Sequence, residues 1–271
     1  CNMCPGIEMD ENKIPHFTLL CANCGSSGQV CRQICPFGAI VPLTLREIKV
    51  RPKSIKSKPQ KTIKIKKENL PESLRMAIRG VGGQGNLFFG RVLSEVAMRT
   101  PYSETHIVKG DTHGMAQLGG PVISTFNCGK VFSPIQAPGS ADVLVVMEIS
   151  EVLRPGFLDL LKPDGTIIFN TFRTLPVNTK KDDYPELSEI EKLLKVYKVI
   201  KIDAQKIAND LGDKTARSAN VVVLGLLSSI PPFNLIAETI WMSALLSVSP
   251  SAQIKSTNQL AFQAGRNFSI K

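Results

Sequence analysis

The sequence predicts an α/β protein, with a mostly parallel sheet covered by helices on both faces and a small cysteine-rich segment in front of it. Short apolar runs alternate with stretches of helical length beyond residue 73, which is the pattern of strand and helix in turn. Six of the seven cysteines lie within the first 35 residues. The 271 residues, 43% of them hydrophobic, can bury a sizeable core, which excludes disorder throughout.

The first element is a set of candidate metal ligands. Cysteines at this density indicate either a ligand set or a disulfide framework. Disulfides are disfavoured because the rest of the chain has the composition of a cytosolic α/β protein, whose thiols stay reduced. The six candidates are Cys1, Cys4, Cys21, Cys24, Cys31 and Cys35.

Two metal interpretations of these cysteines remain open. A zinc ribbon would use the pairs Cys1/Cys4 and Cys21/Cys24, and it leaves Cys31 and Cys35 unexplained. An iron–sulfur site accounts for more, because Cys31-x3-Cys35-Pro36 is the ending of a bacterial-type ferredoxin motif and Cys4-Pro5 supplies a second Cys-Pro.

The iron–sulfur interpretation assigns one [4Fe–4S] cluster to Cys4, Cys21, Cys24 and Cys31. Cys35, together with Cys1, would serve a second cluster whose other ligands lie upstream, so we expect the natural polypeptide to extend beyond Cys1. The loop between Cys24 and Cys31 has six residues where about two are usual, which makes Cys31 the least regular ligand.

A basic stretch follows the cysteines. Between Arg46 and Glu68 there are ten Lys or Arg and two acids, so +8 of the net charge of +10 lies there. Two prolines, no aromatic residue and little periodicity indicate an extended linker. A docking strip for an acidic partner is the alternative, and nucleic acid is disfavoured because no aromatic residue is present to stack bases. The predicted domains are residues 1–44, the linker 45–72 and an α/β domain 73–271.

The α/β domain opens with a strand, a glycine turn and a helix. Leu74–Arg79 is a short apolar run, Gly80-Val-Gly-Gly-Gln-Gly85 follows, and Asn86–Arg99 is amphipathic, which is the start of a Rossmann-like unit. Such glycines permit either a tight turn alone or the approach of backbone amides to a phosphate. The candidate cofactor-binding residues of this turn are Gly80, Gly82, Gly83, Gln84 and Gly85.

The remaining elements continue the alternation of strand and helix. Apolar runs predict further strands at 122–127, 142–147, 166–170 and 199–202, with a turn at 163–165, and helical patterns cover 151–161, 204–211, 218–229, 235–246 and 257–265. No run approaches the length of a membrane span and no targeting segment is visible. We therefore expect a cytoplasmic protein that binds neither membrane nor nucleic acid.

Several polar residues outside the glycine turn are candidates for function. His113 and Gln117 lie in a Gly-rich segment from which they could reach a neighbouring active site, and a purely structural histidine is the competing interpretation. Asn220 precedes an apolar helix and either binds a cofactor or caps the helix. Arg79 beside the glycine turn either attracts phosphate or is an exposed strand end. Cys128 has the setting of a buried small residue rather than of a reactive thiol.

Four motifs together resemble a known family. The glycine turn, then His113-Gly-Met-Ala-Gln-Leu-Gly-Gly120, Gly139-Ser-Ala-Asp142 and Arg217–Gly225 occur in the order seen in the gamma-type domain of 2-oxoacid:ferredoxin oxidoreductases. The His-Gly-Met-Ala-Gln string, and Asn258 with Ala261-Phe262 and Gly265, are similar to the beta subunit of the indolepyruvate-type members. The segment ending in Cys35-Pro-Phe-Gly-Ala-Ile40 resembles the ferredoxin-like domain of the alpha subunit in the same enzymes.

This resemblance implies oxidative decarboxylation of an aryl or other 2-oxoacid with coenzyme A, which gives an acyl-CoA, carbon dioxide and reduced ferredoxin. It also implies thiamine diphosphate with Mg²⁺ on a thiamine-binding alpha subunit or upstream domains, ferredoxin as electron acceptor, and a dimeric assembly. Two other classes stay open: a non-catalytic electron-transfer or assembly subunit, and a dinucleotide-dependent reductase. The second lacks an acidic ribose ligand at the usual spacing.

Overall fold

The computed structural model describes the backbone of residues 7–9, 15–17, 70–113, 120–174 and 184–269. The chain divides into two compact units, residues 1–60 and 61–271. In the first unit, β1 (Ile7–Met9) and β2 (Pro15–Phe17) form an antiparallel pair. The six predicted cysteine ligands and linker residues 45–69 lie outside the described residues.

The second unit is built on a six-stranded sheet in the order β4-β5-β3-β6-β7-β8. Strands β3, β6, β7 and β8 are parallel to one another, while β5 runs antiparallel to both β3 and β4. The strands are β3 (Ser73–Val81), β4 (His106–His113), β5 (Pro121–Gly129), β6 (Ala141–Val146), β7 (Leu161–Asn170) and β8 (Lys198–Ile202). The prediction of a mostly parallel α/β sheet is confirmed, with an antiparallel extension at one side.

Within the part of the chain that the structure describes, six α-helices pack on this sheet. They are α1 (Asn86–Met98), α2 (Leu187–Leu194), α3 (Ala204–Asp210), α4 (Ala219–Leu227), α5 (Glu238–Val248) and α6 (Ala252–Arg266). Five of them cover one face around Phe89, Trp241 and Phe262, whereas α2 and two short 3₁₀ turns cover the other around Phe157. Helices therefore lie on both faces, as predicted, but in unequal numbers. No helix within the described residues is long and apolar enough to cross a membrane.

The residues of strand β6 explain why the sheet lies between two layers of helices and turns. Leu144 and Val146 face the α2 side, and Val143 and Val145 face the five-helix side, all at 0% exposure. A parallel strand that is buried on both faces consists of a continuous apolar run. Such a run in the sequence predicted this strand.

Two predicted elements were wrong. Residues 151–161 form two 3₁₀ turns, Ile149–Leu153 and Leu158–Leu160, rather than one helix. Pro155 and Gly156 lie between them, and Gly156 has a positive φ of 77°, which a continuous helix does not accommodate. The turn predicted at 163–165 lies inside β7, where the register with β6 shifts between Ala141 and Val143.

Helices α4 and α6 cross in backbone contact. A Cβ placed on Gly225 would collide with the carbonyl oxygen of Phe262, and one on Gly265 would collide with that of Val222. Both glycines belong to motifs singled out in the sequence, and their place in the fold is this crossing. The contact fixes the start of α4, where Asn220 lies beside the glycine turn.

Candidate functional site at the carboxyl edge of the sheet

The glycine turn, residues 80–85, joins the carboxyl end of β3 to the N-terminus of α1. Gly83 and Gly85 have φ values of +96° and +80°, a region that favours glycine. The Gly82 N–H donates to the carbonyl of Gly120 at 2.9 Å, and the Gln84 N–H donates to that of Val81 at 3.2 Å. Open α/β sheets bind ligands at this edge, so the turn is in the expected place for a site.

Packing also leaves no room for a side chain at Gly80 and Gly85. A Cβ on Gly80 would collide with the side chain of Gln84, and one on Gly85 would collide with the amide nitrogen of Asn220. Among the residues that the structure describes, nothing lies within 4 Å of a Cβ on Gly83, so that residue forms the open side of the turn. The turn therefore has one packed side and one side that no described residue covers.

Gln84 is held on the packed side by both ends of its amide. Its Oε1 accepts from the Val81 N–H at 2.9 Å, and its Nε2 donates to the Met147 carbonyl at 3.1 Å. Predicted as a cofactor-binding residue, Gln84 uses these groups within the protein and fixes the shape of the turn. The turn is thereby attached to the end of the neighbouring strand β6.

Asn170 extends this attachment to the next strand. Its Nδ2 donates to the same Met147 carbonyl at 2.9 Å and to Gln205 Oε1 at 2.8 Å, while its Oδ1 accepts from the Ala204 N–H at 3.0 Å. Asn170 is fully buried, and all its amide hydrogen-bonding groups have partners. Two side-chain amides thus connect the glycine turn to the start of α3. Sequence reasoning missed Asn170 because a lone asparagine at a strand end carries no motif.

Asn220 and Asn86 flank the turn and leave acceptors unused. Asn220 Nδ2 donates weakly to the Gly85 carbonyl at 3.4 Å, and Asn86 Nδ2 donates to that of Val122 at 3.5 Å. The Oδ1 atom of each is buried and has no hydrogen-bond partner among the described residues. Unpaired buried acceptors are rare in folded proteins and concentrate at functional positions. The structure therefore places Asn220, a predicted cofactor-binding residue, against the turn.

His113 reaches the same edge through the register of the sheet. It is the last residue of β4 and pairs with Val122 of β5, which in turn pairs with Gly80 of β3. The backbone of His113 therefore lies two strands from the glycine turn, about 10 Å away. Gln117 lies outside the described residues, but Gly120, which ends its motif, bonds to Gly82.

Arg79 is tied to a buried carboxylate on the α2 face of the sheet. Its Nη1 donates to Glu151 at 3.1 Å, and its guanidinium lies 5.6 Å from the centre of the Phe157 ring. Burial lowers the pKa of Arg79, and the adjacent Glu151 offsets part of that shift. Because Glu151 is 1% exposed and also accepts from Arg154, this cluster supports the strand end rather than presenting a free cation.

A second buried carboxylate, Glu148, follows β6 directly. It accepts from the N–H groups of Ser150 and Thr174, at 2.9 and 3.2 Å, and from the hydroxyl of Tyr184. Burial, followed by the hydrogen bond to Glu148, raises the pKa of Tyr184. Glu148 is fully buried, and the hydrogen bonds that its side chain accepts hold the loops on this side of the sheet together.

Other candidate groups can be placed in the same way. Cys128 is buried, and desolvation raises its pKa to about 12, so it is an unreactive thiol as the sequence indicated. A shallow depression of about 520 Å³ lies at the ends of β7 and β8 and is lined by Arg173, Gln205 and Lys206, among others. Within the described ranges, no three His, Cys, Asp or Glu side chains are grouped to hold a metal ion.

Comparison with known proteins identifies the family. The family model described as pyruvate ferredoxin/flavodoxin oxidoreductase matches residues 75–268, which include all six helices and all of the six-stranded sheet except the first two residues of β3. The chain belongs to the pyruvate ferredoxin/flavodoxin oxidoreductase family. The resemblance inferred from the ordered motifs is thereby confirmed.

Indolepyruvate oxidoreductase subunits are similar to the chain over most of their own length. Indolepyruvate oxidoreductase subunit IorB of Archaeoglobus fulgidus is 38% identical over 158 residues, 57% of this chain and 75% of the relative. The IorB subunit of Pyrococcus horikoshii is 34% identical over 197 residues, 70% of this chain and 93% of the relative. The chain is thus similar to subunits of oxidoreductases that contain further subunits.

Solved structures of the family share the fold. Pyruvate oxidoreductase subunit PORC of Thermotoga maritima superimposes with a TM-score of 0.54 at 19% identity, over 72% of this chain and 96% of that chain. The gamma subunit of a keto/oxoacid ferredoxin oxidoreductase from Geobacter sulfurreducens gives 0.51 at 21% identity, over 72% and 95%. At these identities the likeness establishes the architecture of the α/β unit.

Proposed function

We propose that the chain forms the gamma-type part of an indolepyruvate or other aryl-pyruvate:ferredoxin oxidoreductase. In the overall reaction the bond from the carbonyl carbon to the carboxylate breaks and carbon dioxide leaves. The acyl group is transferred to the thiol of coenzyme A, and the released electron pair passes to ferredoxin. Membership of the family supports the 2-oxoacid oxidoreductase class, and the names of the IorB relatives favour indolepyruvate within it.

The observation that carries this proposal is the convergence of the family motifs on one edge of the sheet. The glycine turn, the end of β4 at His113, Gly120 and Asn220 meet there although they are far apart in the sequence. Thiamine diphosphate with Mg²⁺, held by the partner subunit or by upstream domains, would supply the carbanion chemistry. The role of this chain is then to close the coenzyme A side of the reaction site, with His113 and Gln117 as its candidate catalytic residues.

The glycine turn suits the phosphate groups of coenzyme A. The free side at Gly83 precedes the 13-residue helix α1, whose N-terminus carries partial positive charge and unpaired amides. No acidic side chain lies in the first turn of α1 to oppose an anion. Gly80, Gly82, Gly83 and Gly85 would admit the ligand, while Gln84 holds them in place.

The cysteine segment is proposed to carry the electrons outward. The spacing of Cys21, Cys24, Cys31 and Cys35-Pro36 favours [4Fe–4S] ligation over a zinc ribbon, with Cys1 and Cys4 completing the ligand sets. This step rests on the sequence alone. The basic residues that follow would assist the approach of an acidic ferredoxin, since charge steering needs only proximity.

A non-catalytic electron-transfer or assembly subunit is the second candidate, and a specific experiment separates the two. The chain is combined with the thiamine-binding subunit, and reduction of ferredoxin is followed with indolepyruvate and coenzyme A. The proposal requires turnover that depends on this chain and on both substrates. Full turnover without the chain, or electron transfer without any 2-oxoacid dependence, would favour the assembly role.

The metal assignment has its own test. Iron, zinc and acid-labile sulfide are measured in anaerobically purified protein, together with low-temperature EPR of the reduced form. Cys21→Ser is expected to lower the iron content and change the EPR signal, and Cys128→Ser, the matched control in the α/β unit, is expected to change neither. Stoichiometric zinc without sulfide would contradict the iron–sulfur assignment while leaving the family membership intact.

A dinucleotide-dependent reductase finds less support in the geometry. Such enzymes place a free acidic side chain at a strand end beside the glycine turn to bind ribose. The acid at the end of the adjacent strand β6 is Glu148, which is fully buried and already accepts from Ser150, Thr174 and Tyr184. It has no exposed oxygen to offer a ribose.

A further inference from the structure

Trp241 of α5 is the largest fully buried side chain within the described ranges, and its indole N–H has no hydrogen-bond partner there. The ring is 0% exposed and lies against those of Phe233 and Phe262, with ring centres 6.3 and 6.5 Å away. The N–H is the only polar group of a tryptophan side chain, and it can only donate. Buried donors without a partner are rare in folded proteins. This N–H therefore indicates an acceptor bound beside it.

A small cavity lies beside Trp241, between the sheet and helices α1 and α5. The centre of a water molecule can occupy about 10 Å³ of it, which is the least room that one bound water needs. Trp241, Tyr102 and Cys128 line it, and the remaining lining residues are apolar: Leu74, Leu93, Val96, Ala97, Phe126, Phe233 and Ile236. None of the lining residues is more than 4% exposed. The cavity is therefore too small for an organic ligand but large enough for one water.

The cavity has two polar groups besides the indole. Tyr102 donates its hydroxyl proton to the carbonyl of Pro71 at 2.6 Å, which leaves its oxygen able to accept a bond. Burial, followed by the neighbouring thiol of Cys128, raises the pKa of Tyr102, so hydroxyl and thiol lie near each other. A purely apolar cavity stays dry, whereas a cavity that offers two to four polar partners holds water. The polar groups of this lining meet that condition.

We propose that one water molecule is bound in this cavity, where it accepts from the indole N–H of Trp241 and donates to Tyr102 Oη and to the sulfur of Cys128. Water both donates and accepts, so a single molecule satisfies the three groups at once. A cation would not serve, because an N–H donor needs an acceptor. The water would join α5 to strand β5 and to the 3₁₀ turn Pro101–Glu104. It is thus a structural ligand of the five-helix core.

The water site is separate from the candidate functional site. It lies beside the start of β3, where Leu74 pairs with Cys128, and the glycine turn follows the other end, where Val81 pairs with Pro121. The strand between Leu74 and Val81 spans roughly 23 Å. Because no step of the proposed reaction involves the cavity, its test requires only the chain itself and is independent of the proposed function.

The test is NMR spectroscopy of the full ¹⁵N-labelled chain. Trp241 is the only tryptophan of the sequence, so a single indole N–H signal reports on the cavity. We expect a nuclear Overhauser cross-peak between this proton and water, with the sign of a long-lived bound molecule. In Ala97→Leu, the larger side chain fills the cavity and the cross-peak should disappear. If Ala97→Leu does not fold, Cys128→Val fills the cavity from the strand and should give the same loss.

Tyr102→Phe separates bound water from the exchanging proton of the Tyr102 hydroxyl. The water keeps two partners in this variant, so the cross-peak should remain. Tyr197→Phe, which removes a hydroxyl from the α2 side of the sheet, is the matched control and should also leave it unchanged. A wild-type chain without the cross-peak has a dry cavity, and the proposal is then wrong. Loss of the cross-peak in Tyr102→Phe, or its survival in the filled variants, would overturn the proposal as well.

Discussion

Gln84 and Asn170 donate hydrogen bonds to the same acceptor, the carbonyl oxygen of Met147. Gln84 belongs to the glycine turn after β3, and Asn170 ends β7, so one carbonyl at the end of β6 joins three strand ends. Both donors are side-chain amides with little freedom, and Asn170 is fully buried. The shape of the glycine turn therefore depends on residues outside its own motif.

This dependence predicts the effect of changing Gln84 to Glu. The carboxylate keeps the size of the amide but replaces the donor to Met147 with a charged acceptor, which repels the carbonyl oxygen. We expect the KM for coenzyme A to rise about ten-fold or more in the assembled enzyme, with the fold retained by circular dichroism. Gln259→Glu, on the exposed face of α6, is the control and should leave KM unchanged. An unaltered KM in Gln84→Glu would show that the turn does not face coenzyme A.

The crossing of α4 and α6 predicts that Gly225 tolerates no side chain. Gly225→Ala would force the backbones of the two helices apart, because the obstructing atom is the carbonyl oxygen of Phe262. We expect a loss of about 2–4 kcal/mol in the free energy of unfolding, measured by denaturant titration.

Gly90→Ala is the matched control for this substitution. Gly90 is also helical, but its added Cβ would meet the flexible Lys109 side chain rather than backbone. Alanine also stabilises a helix by up to about 1 kcal/mol relative to glycine, which offsets the cost of displacing the Lys109 side chain. We therefore expect a change near zero in the free energy of unfolding. Equal losses in the two variants would show that helix propensity, and not the crossing, decides the outcome.

Strand β6 and the glycine turn could be predicted from the sequence because their signals are local. Val143–Val146 is apolar throughout, as burial on both faces requires, and the turn is marked by its glycines. Strand β4 could not be predicted, since HIVKGDTH at the sheet edge has few apolar residues to bury. The parallel arrangement follows from alternating elements, whereas the antiparallel β5 is fixed by long-range pairing that no short pattern reports.

Only the part of the candidate site that carries a local sequence signal could be predicted. Asn220 was identified from its motif, but its partner at Gly85 lies 135 residues away in the sequence. The roles of Asn170 and Glu148 depend on bonds between loops that meet only in the folded sheet. A single asparagine or glutamate after an apolar run has no signature, so sequence reasoning alone passes over them.

Burial of Cys128 predicts a loss of stability at alkaline pH. The pKa of this thiol is raised from 9.0 to about 12. Between these values the unfolded chain releases the proton while the folded chain keeps it, so the free energy of unfolding falls as pH rises. The full slope for one group is about 1.4 kcal/mol per pH unit. The test measures the free energy of unfolding of wild type and of Cys128→Ala between pH 8 and 11. The free energy of the variant should fall less steeply with pH. Identical slopes would contradict the prediction.

The pair formed by Arg79 and Glu151 gives the last prediction, because it contrasts a buried ion pair with an exposed one. Glu151→Gln removes the negative charge that compensates the Arg79 guanidinium, and it leaves one acceptor oxygen where Arg79 and Arg154 each had their own. We expect a loss of about 2–4 kcal/mol in the free energy of unfolding, since an unpaired buried charge keeps its desolvation cost. Glu72→Gln breaks the exposed pair with Lys130 and should cost less than about 1 kcal/mol. High salt should leave this difference largely intact, because screening acts mainly on exposed charges. If instead the two variants lose the same stability, Arg79 gains its support from the ring of Phe157 and not from the carboxylate.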